Sequence, residues 1–149
     1  MPINQYRQPH PTPAKLPKCR TEWYFLVLSF WNKKQAMITN WKKLEHVSQI
    51  IDIKEESKKH PVMIFKHSTR CSISAMAWDR LKRNWKSEDS EKIRPYFLDL
   101  ISYREISDAI SKEFGVYHES PQVIIIKEGK AVYDNSHMGI NYQEILSQV

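Results

Sequence analysis

The chain has 149 residues, a length typical of one domain with a modest core, and a formal net charge of +6. Residues 1–36 carry a net +5, whereas residues 37–149 hold 17 basic and 16 acidic side chains, a net +1. A nucleic-acid-binding domain would carry clustered positive charge on its folded surface, so we expect no nucleic-acid partner. Three glycines and two cysteines provide neither a glycine-rich phosphate loop nor a disulfide scaffold, and His67 with Cys71 offers too few ligands for zinc.

Residues 1–36 differ in composition from the rest of the chain. Five prolines among the first 20 residues predict an extended or disordered tail. The apolar run at residues 23–31 is far shorter than the ~18 residues of a membrane span, and no small-x-small cleavage site follows it. We therefore expect a cytoplasmic protein without a membrane segment. Residues 1–36 are predicted to be an extension or a misassigned start, and residues 37–149 to be the domain.

From Met37 onwards, short apolar runs alternate with apolar residues at three- and four-residue spacing, which predict strands and helices respectively. Pro61, Gly115 and the pair Glu128-Gly129 mark breaks between elements. The predicted strands are 38–41, 62–65, 96–101, 123–126 and 131–133, and the predicted helices are 44–59, 72–85, 106–114 and 142–149. Residues 86–95 are predicted to be a charged loop. In the last helix, Asn141 is the predicted N-cap, with Glu144 completing a capping box.

Two of these helices have apolar faces that predict which side chains are buried. In the first helix the predicted buried residues are Leu44, Val47, Ile50 and Ile51. In the second they are Ile73, Met76, Ala77, Leu81 and Trp85. Strands alternating with helices predict a parallel sheet, and a final hairpin adds an antiparallel edge. The order β-α-β-α-β-α-β-β-α thus predicts an α/β fold, with a four- to five-stranded mixed sheet flanked by helices on both faces.

The chemistry that the sequence suggests centres on Cys71, which lies where a strand passes into a helix. The first N–H groups of a helix have no partner within it, and the helix dipole is positive at that end. Both features favour the thiolate, which is the nucleophilic form of cysteine. A free cysteine can also be an inert buried residue, but this position, next to Arg70, favours a nucleophile.

Two segments together resemble one protein family. They are residues 65–74, FKHSTRCSIS, and residues 118–123, HESPQV. They resemble the monothiol bacilliredoxins, thioredoxin-like proteins of the YtxJ type that act with bacillithiol, and the resemblance spans about residues 41–146. Asp99-Leu100, Tyr103-Arg104 and Ser136-His137 also match the family pattern. Ser72 departs from it, because a proline often follows the cysteine.

The resemblance implies a thioredoxin-like fold and thiol–disulfide oxidoreductase activity, with no bound cofactor and no metal. Bacilliredoxins resemble glutaredoxins but act with bacillithiol as co-substrate, which they remove from S-bacillithiolated proteins during oxidative stress. By this resemblance, Cys71 attacks the bacillithiol sulfur, the protein thiol leaves, and Cys71 carries the bacillithiol. A second low-molecular-weight thiol or another reductase then resets Cys71.

The resemblance also implies roles for residues on either side of the thiol. Pro121 matches the cis-proline that faces the active cysteine in thioredoxin-like folds, where it would present the backbone of Ser120 to the incoming disulfide. Thr69 and Arg70 match positions able to contact the carboxylates of bacillithiol, although Arg70 is equally interpreted as a solvated loop charge. Ser72 serves at the helix start and is counted with Thr69, Arg70, Ser74, Ser120 and Pro121 among the residues that would bind the thiol or substrate.

Ser74 stands where a dithiol protein has its second cysteine. A hydroxyl cannot resolve a mixed disulfide, because exchange requires a thiolate, so a monothiol mechanism is expected unless Cys19 participates. Ser74 either hydrogen-bonds the thiolate or satisfies the helix backbone. For His67, tuning of the thiol and a half-buried packing position both remain open, and for Trp78 the alternatives are a wall of the thiol site and core packing.

Two other functions are consistent with the sequence. One is a thioredoxin-fold adaptor with an inert cysteine. The other is a glutaredoxin-like protein that uses another thiol or binds an iron–sulfur cluster. Cluster-binding monothiol glutaredoxins have a glycine and an aromatic residue between cysteine and serine, where this chain has Ser72 and Ile73. The sequence therefore favours the bacilliredoxin interpretation.

Overall fold

The structure is a computed structural model that describes Leu26 and residues 41–149. The chain divides into two units, residues 1–34 and residues 35–149, and the fold below is that of the second unit. The predictions for the proline-rich tail, for Cys19 and for residues 38–40 lie outside the described residues. Among those described, no helix is both long and apolar enough to cross a bilayer.

Five strands form one mixed sheet in the order β1-β3-β2-β4-β5. The strands are β1 (Lys42–Lys43), β2 (Val62–His67), β3 (Arg94–Asp99), β4 (Gln122–Lys127) and β5 (Lys130–Ser136). The first three strands run parallel, whereas β4 is antiparallel to both β2 and β5. This arrangement confirms the predicted mixed sheet with an antiparallel hairpin at one edge.

Helices cover both faces of the sheet, as predicted. They are α1 (Gln49–Ser57), α2 (Ser72–Asn84), α3 (Asp89–Lys92), α4 (Arg104–Phe114) and α5 (Tyr142–Ser147). One core layer joins the sheet to α2 and α5 through Phe65, Ala77, Leu81, Ile125 and Ile145. The other joins it to α1 and α4 through Ile53, Ile64, Ile106, Ile110 and Ile124. Because β2 lies between these layers, all six of its residues are buried.

The predicted ends of two helices are confirmed by their local geometry. Gly115 follows α4 with a φ of +65°, a left-handed conformation that glycine adopts without a Cβ clash. Asn141 caps α5, since its Oδ1 accepts a hydrogen bond of 2.8 Å from the N–H of Gln143. The predicted capping box is wrong, because Glu144 instead accepts a hydrogen bond from the hydroxyl of Tyr133.

Some element boundaries differ from those predicted. The first helix begins at Gln49, because Gln49 Oε1 accepts hydrogen bonds from the N–H groups of Glu45 and His46 and holds that segment in a turn. β3 begins at Arg94, whose N–H donates to the carbonyl of Pro61. The predicted loop at residues 86–95 contains α3 and the start of β3.

The predicted buried faces of two helices are partly wrong. On α1, Ile51 is exposed, and so is Val47 before the helix. On α2, Ile73 is 45 % exposed and Met76 is 59 % exposed, whereas the buried stripe is Ser74, Ala77 and Leu81. The stripe starts at a polar residue because the Ser74 hydroxyl is hydrogen-bonded to the end of β2. This bond sets the rotation of α2 and leaves apolar side chains exposed near Cys71.

Candidate functional site

Cys71 lies between β2 and the N-terminus of α2, as the sequence predicts. It is the N-cap residue of α2, with extended backbone angles, and its carbonyl accepts from the N–H of Ala75 at 3.0 Å. Its own N–H donates to the carbonyl of Ser68, which closes the connecting turn. The thiol is free and partly exposed. No acidic residue occupies the first turn of α2, so the helix dipole there favours an anion without a competing carboxylate in that turn.

Ser74 is fully buried and hydrogen-bonds neither the thiol nor a carbonyl of its own helix. Its Oγ lies 2.7 Å from Nδ1 of His67 and accepts a 2.9 Å bond from the N–H of Ser68. Both alternatives in the sequence interpretation are therefore corrected, because one hydroxyl joins the first turn of α2 to the end of β2. This connection fixes the turn that carries Cys71.

His67 is buried at the end of β2, which favours the packing interpretation of this residue. Its ring lies between aromatic neighbours, 6.2 Å from Phe65 and 5.6 Å from Phe97 between centroids. Burial lowers its pKa, and the nearby Lys82 charge adds to this effect while Asp99 opposes it. His67 is therefore neutral at neutral pH.

Protein stability is expected to fall as pH drops below 6.5. Burial lowers the pKa of His67 and of His118 in the folded state. Between pH 6.5 and those lowered values, the unfolded chain therefore takes up protons that the folded protein does not bind, and stability is lost. Urea denaturation between pH 7.5 and 5 measures the slope. The variant His67→Asn, which keeps an acceptor near the Nδ1 position, should have a shallower slope, and an unchanged slope would contradict this assignment.

Pro121 lies at the same end of the sheet as the cysteine turn. The Ser120–Pro121 peptide bond is cis, as expected. The following residue, Gln122, pairs with Lys66 in an antiparallel register. Pro121 therefore lies beside His67, the last residue of β2, which precedes Cys71 by four residues. The Ser120 hydroxyl is buried and has no hydrogen-bond partner within the described part of the chain. The site thus consists of the cysteine turn on one side and the 120–121 segment on the other.

The remaining predicted residues have different surroundings. Thr69, Arg70 and Ser72 are exposed beside Cys71, where a bound molecule has access to them. Trp78 is half-buried and packs against the core, 5.1 Å from Phe65 between ring centroids and close to Phe97 and Trp41, which favours the packing interpretation of this residue.

The structure adds residues that the sequence interpretation did not assign to the site. The N–H of His137 donates to the carbonyl of Pro121 at 2.9 Å, and His137 has a φ of +53°, which is uncommon for a residue with a side chain. Lys66 and Gln122 are fully buried polar residues at the same end of the sheet. His137, Lys66 and Gln122 all belong to segments that match the family pattern. Their positions relative to Cys71 were not predicted, because they depend on how the strands pair. Within residues 41–149, no cluster of side chains suitable for a metal ion occurs.

Comparison with known proteins agrees with this geometry. The family model of the monothiol bacilliredoxin BrxC matches residues 42–145. A solved protein described as a candidate oxidoreductase with a thioredoxin fold is 32% identical, with a TM-score of 0.64 over 74% of this chain and 95% of that one. Two thioredoxins are each 15% identical over 72% of this chain: that of Malassezia sympodialis (TM-score 0.56, 86% of its chain) and that of Fasciola hepatica (0.55, 94%). At this identity they show the fold alone.

A partly exposed thiol at a helix N-terminus on this sheet defines a thiol-redox protein of the thioredoxin fold. The match over residues 42–145 identifies the kind of thiol-redox protein. The chain belongs to the monothiol bacilliredoxin family.

Proposed function

We propose that this protein removes bacillithiol from S-bacillithiolated proteins through Cys71, with bacillithiol as co-substrate. The observation that carries the proposal is the thiol itself. Cys71 is free and partly exposed at the N-terminus of α2, while Ser74, in the position of a second cysteine, is bonded to His67 and Ser68. A cytoplasmic role during oxidative stress is part of the proposal.

The proposed reaction is two successive thiol–disulfide exchanges. The Cys71 thiolate attacks the bacillithiol sulfur of the mixed disulfide, a Cys71–bacillithiol disulfide forms, and the client sulfur leaves as a thiolate that takes a proton from water. A second low-molecular-weight thiolate then attacks the bacillithiol sulfur, which releases a small disulfide and the Cys71 thiolate. Each exchange breaks one disulfide bond and forms one, so no external oxidant is required.

The exposed side chains beside Cys71 support an anionic co-substrate. Arg70 and Thr69 would contact the carboxylates of bacillithiol, since guanidinium groups pair well with carboxylates. On the opposite side, the backbone of Ser120 would pair with the incoming disulfide. Ser72, exposed at the helix start beside the thiol, would line the same binding surface.

We expect the protein to prefer bacillithiol over other small thiols. One client protein is prepared with bacillithiol, glutathione or cysteine on the same residue, and release of its thiol is followed in single turnover. The bacillithiol form should react at least about tenfold faster, which corresponds to ~1.4 kcal/mol. Arg70→Gln should reduce this preference about threefold, as expected for an exposed charge pair, whereas the control Arg83→Gln, at the far end of α2, should not. Equal rates with all three thiols would refute bacillithiol as the co-substrate.

A further inference from the structure

A fully buried lysine occupies the central strand of the sheet. Lys66 is 0 % exposed and lies in β2 between Leu98 of β3 and Gln122 of β4. Ile64 lies two residues before Lys66 in β2, on the same face of the sheet, and it pairs with Ile124 in β4. Both isoleucines belong to the core layer under α1 and α4. Lys66 therefore points into the layer opposite the one that contains α2, at the end of the sheet where the site lies.

A cluster of polar side chains lies around this ammonium group; Lys66, Ser107 and Gln122 are buried, Ser111 is half-buried and His118 is exposed. We define the cluster by its residues, which are Lys66, Ser107, Ser111, His118 and Gln122. Lys66 Nζ donates to Ser111 Oγ on α4 at 3.3 Å, and a 2.9 Å hydrogen bond joins Ser107 Oγ to His118 Nδ1. The cluster thus connects β2 to α4 and to the segment that follows α4.

The same cluster holds the segment that leads to Pro121. Gln122 is fully buried, and its Nε2 donates to the carbonyl of Tyr117 at 2.8 Å. Its Oε1 accepts a longer bond of 3.4 Å from the N–H of Glu119. Gln122 is the strand neighbour of Lys66, so the residue that holds the 117–119 segment lies directly beside the buried lysine.

A lysine in this position opposes folding. Burial lowers the pKa of Lys66 to about 8, although the carboxylates of Asp108 and Asp134 partly offset the effect. At pH 7 the folded protein must keep a charge in a largely apolar layer, whereas the unfolded chain keeps it in water. Replacing a buried charge by an apolar side chain of similar size is often neutral or stabilising. Groups that lower stability occur at functional sites, where activity is often gained at the expense of stability.

We infer that Lys66 is a positioning residue for disulfide exchange: its buried ammonium holds α4 beside Gln122, which holds the segment leading to Ser120–Pro121, so that this segment is presented beside the Cys71 turn. The inference rests on the proposed exchange function, and it concerns the face of the sheet opposite α2. The groups that face the ammonium are Ser111 and Asp108 on α4, Gln122 on β4, Asp134 on β5 and His118. Partial burial lowers the pKa of His118, and the Lys66 and Arg104 charges add to this effect, which keeps His118 neutral in its bond to Ser107.

The inference is tested with Lys66→Met, which keeps the length of the side chain and removes the charge. Lys112→Met removes a charge from the exposed side of the same helix and is the matched control. At pH 7, Lys66→Met should raise Tm by about 4 °C and reduce kcat/KM for the mixed disulfide about tenfold. Alkylation of Cys71 by iodoacetamide should be unchanged, because the cysteine turn lies on the other side of the sheet. Lys66→Arg, which keeps the charge, should recover part of the lost activity.

The pH profile separates positioning from a merely structural role. As the Lys66 ammonium deprotonates above pH 8, the ratio of wild-type to Lys66→Met kcat/KM should fall toward one. Both proteins are compared on a mixed disulfide of bacillithiol, glutathione or cysteine that the wild-type protein reduces. The test of Lys66 therefore remains valid even if bacillithiol is not the co-substrate. Wild-type activity in Lys66→Met, or a tenfold difference that is constant from pH 7 to 9.5, would overturn the inference. Lower stability together with lower activity would also overturn it.

Discussion

Replacement of Cys71 by serine is expected to reduce thiol–disulfide exchange by at least about a thousandfold, equivalent to ~4 kcal/mol of activation free energy. A serine hydroxyl is not ionised at neutral pH and cannot form a mixed disulfide, so the helix N-terminus has no nucleophilic anion to stabilise. The fold should be unaffected, because the Cys71 backbone bonds to Ser68 and Ala75 do not involve the thiol. Single-turnover release of a client thiol measures the effect.

The matched control is Cys19→Ser, which removes the other cysteine of the chain. A monothiol mechanism predicts that Cys19→Ser retains the wild-type rate of client release. A loss in Cys19→Ser as large as in Cys71→Ser would indicate a two-cysteine mechanism instead. Equal activity of Cys71→Ser and the wild type would show that the thiol is inert and would favour an adaptor function.

Replacement of Ser74 by alanine is expected to destabilise the protein by about 2–6 kcal/mol. The substitution leaves Nδ1 of His67 and the N–H of Ser68 without their present partner in a buried region. Each buried polar group that loses its hydrogen bond costs roughly 1–3 kcal/mol. The turn that carries Cys71 should also loosen, so exchange should slow at temperatures where the variant is still folded.

Urea denaturation of Ser74→Ala measures the change in the free energy of unfolding. Ser72→Ala is the control, since Ser72 lies two residues earlier in the same helix and is exposed. Exposed substitutions of this kind usually change stability by less than about 0.5 kcal/mol. If both variants lose the same amount of stability, the bonds of Ser74 to His67 and Ser68 do not hold the turn.

Much of the fold could be predicted because it depends on local patterns. The apolar runs that became β2 and β4 are uninterrupted, and Gly115 and Asn141 have strong local preferences for the ends of helices. The bounds of β1 were missed, since the predicted first strand ended at residue 41, whereas Lys42–Lys43 are defined as a strand by pairing with Tyr96 and Phe97 far along the chain. The rotation of α2 was also missed, since a buried hydrogen bond of Ser74 outweighs the apolar character of Ile73 and Met76.

The candidate site was partly predictable for a related reason. Cys71 and Pro121 belong to segments whose residue types indicate their position, and the structure places both segments at one end of the sheet. The burial of Lys66 could not be read from the sequence, because a lysine between Phe65 and His67 is buried only when helices cover its face of the central strand. His137 reaches Pro121 through the β4–β5 register, which the apolar pattern does not encode.

Intact mass spectrometry after one turnover with a bacillithiolated client tests most directly whether Cys71 accepts the small thiol. We expect the mass of one bacillithiol to appear on this protein, to map to the peptide that contains Cys71, and to leave the client with a free thiol. An adduct on a different residue, or a client freed of bacillithiol with no covalent intermediate on Cys71, would contradict this mechanism.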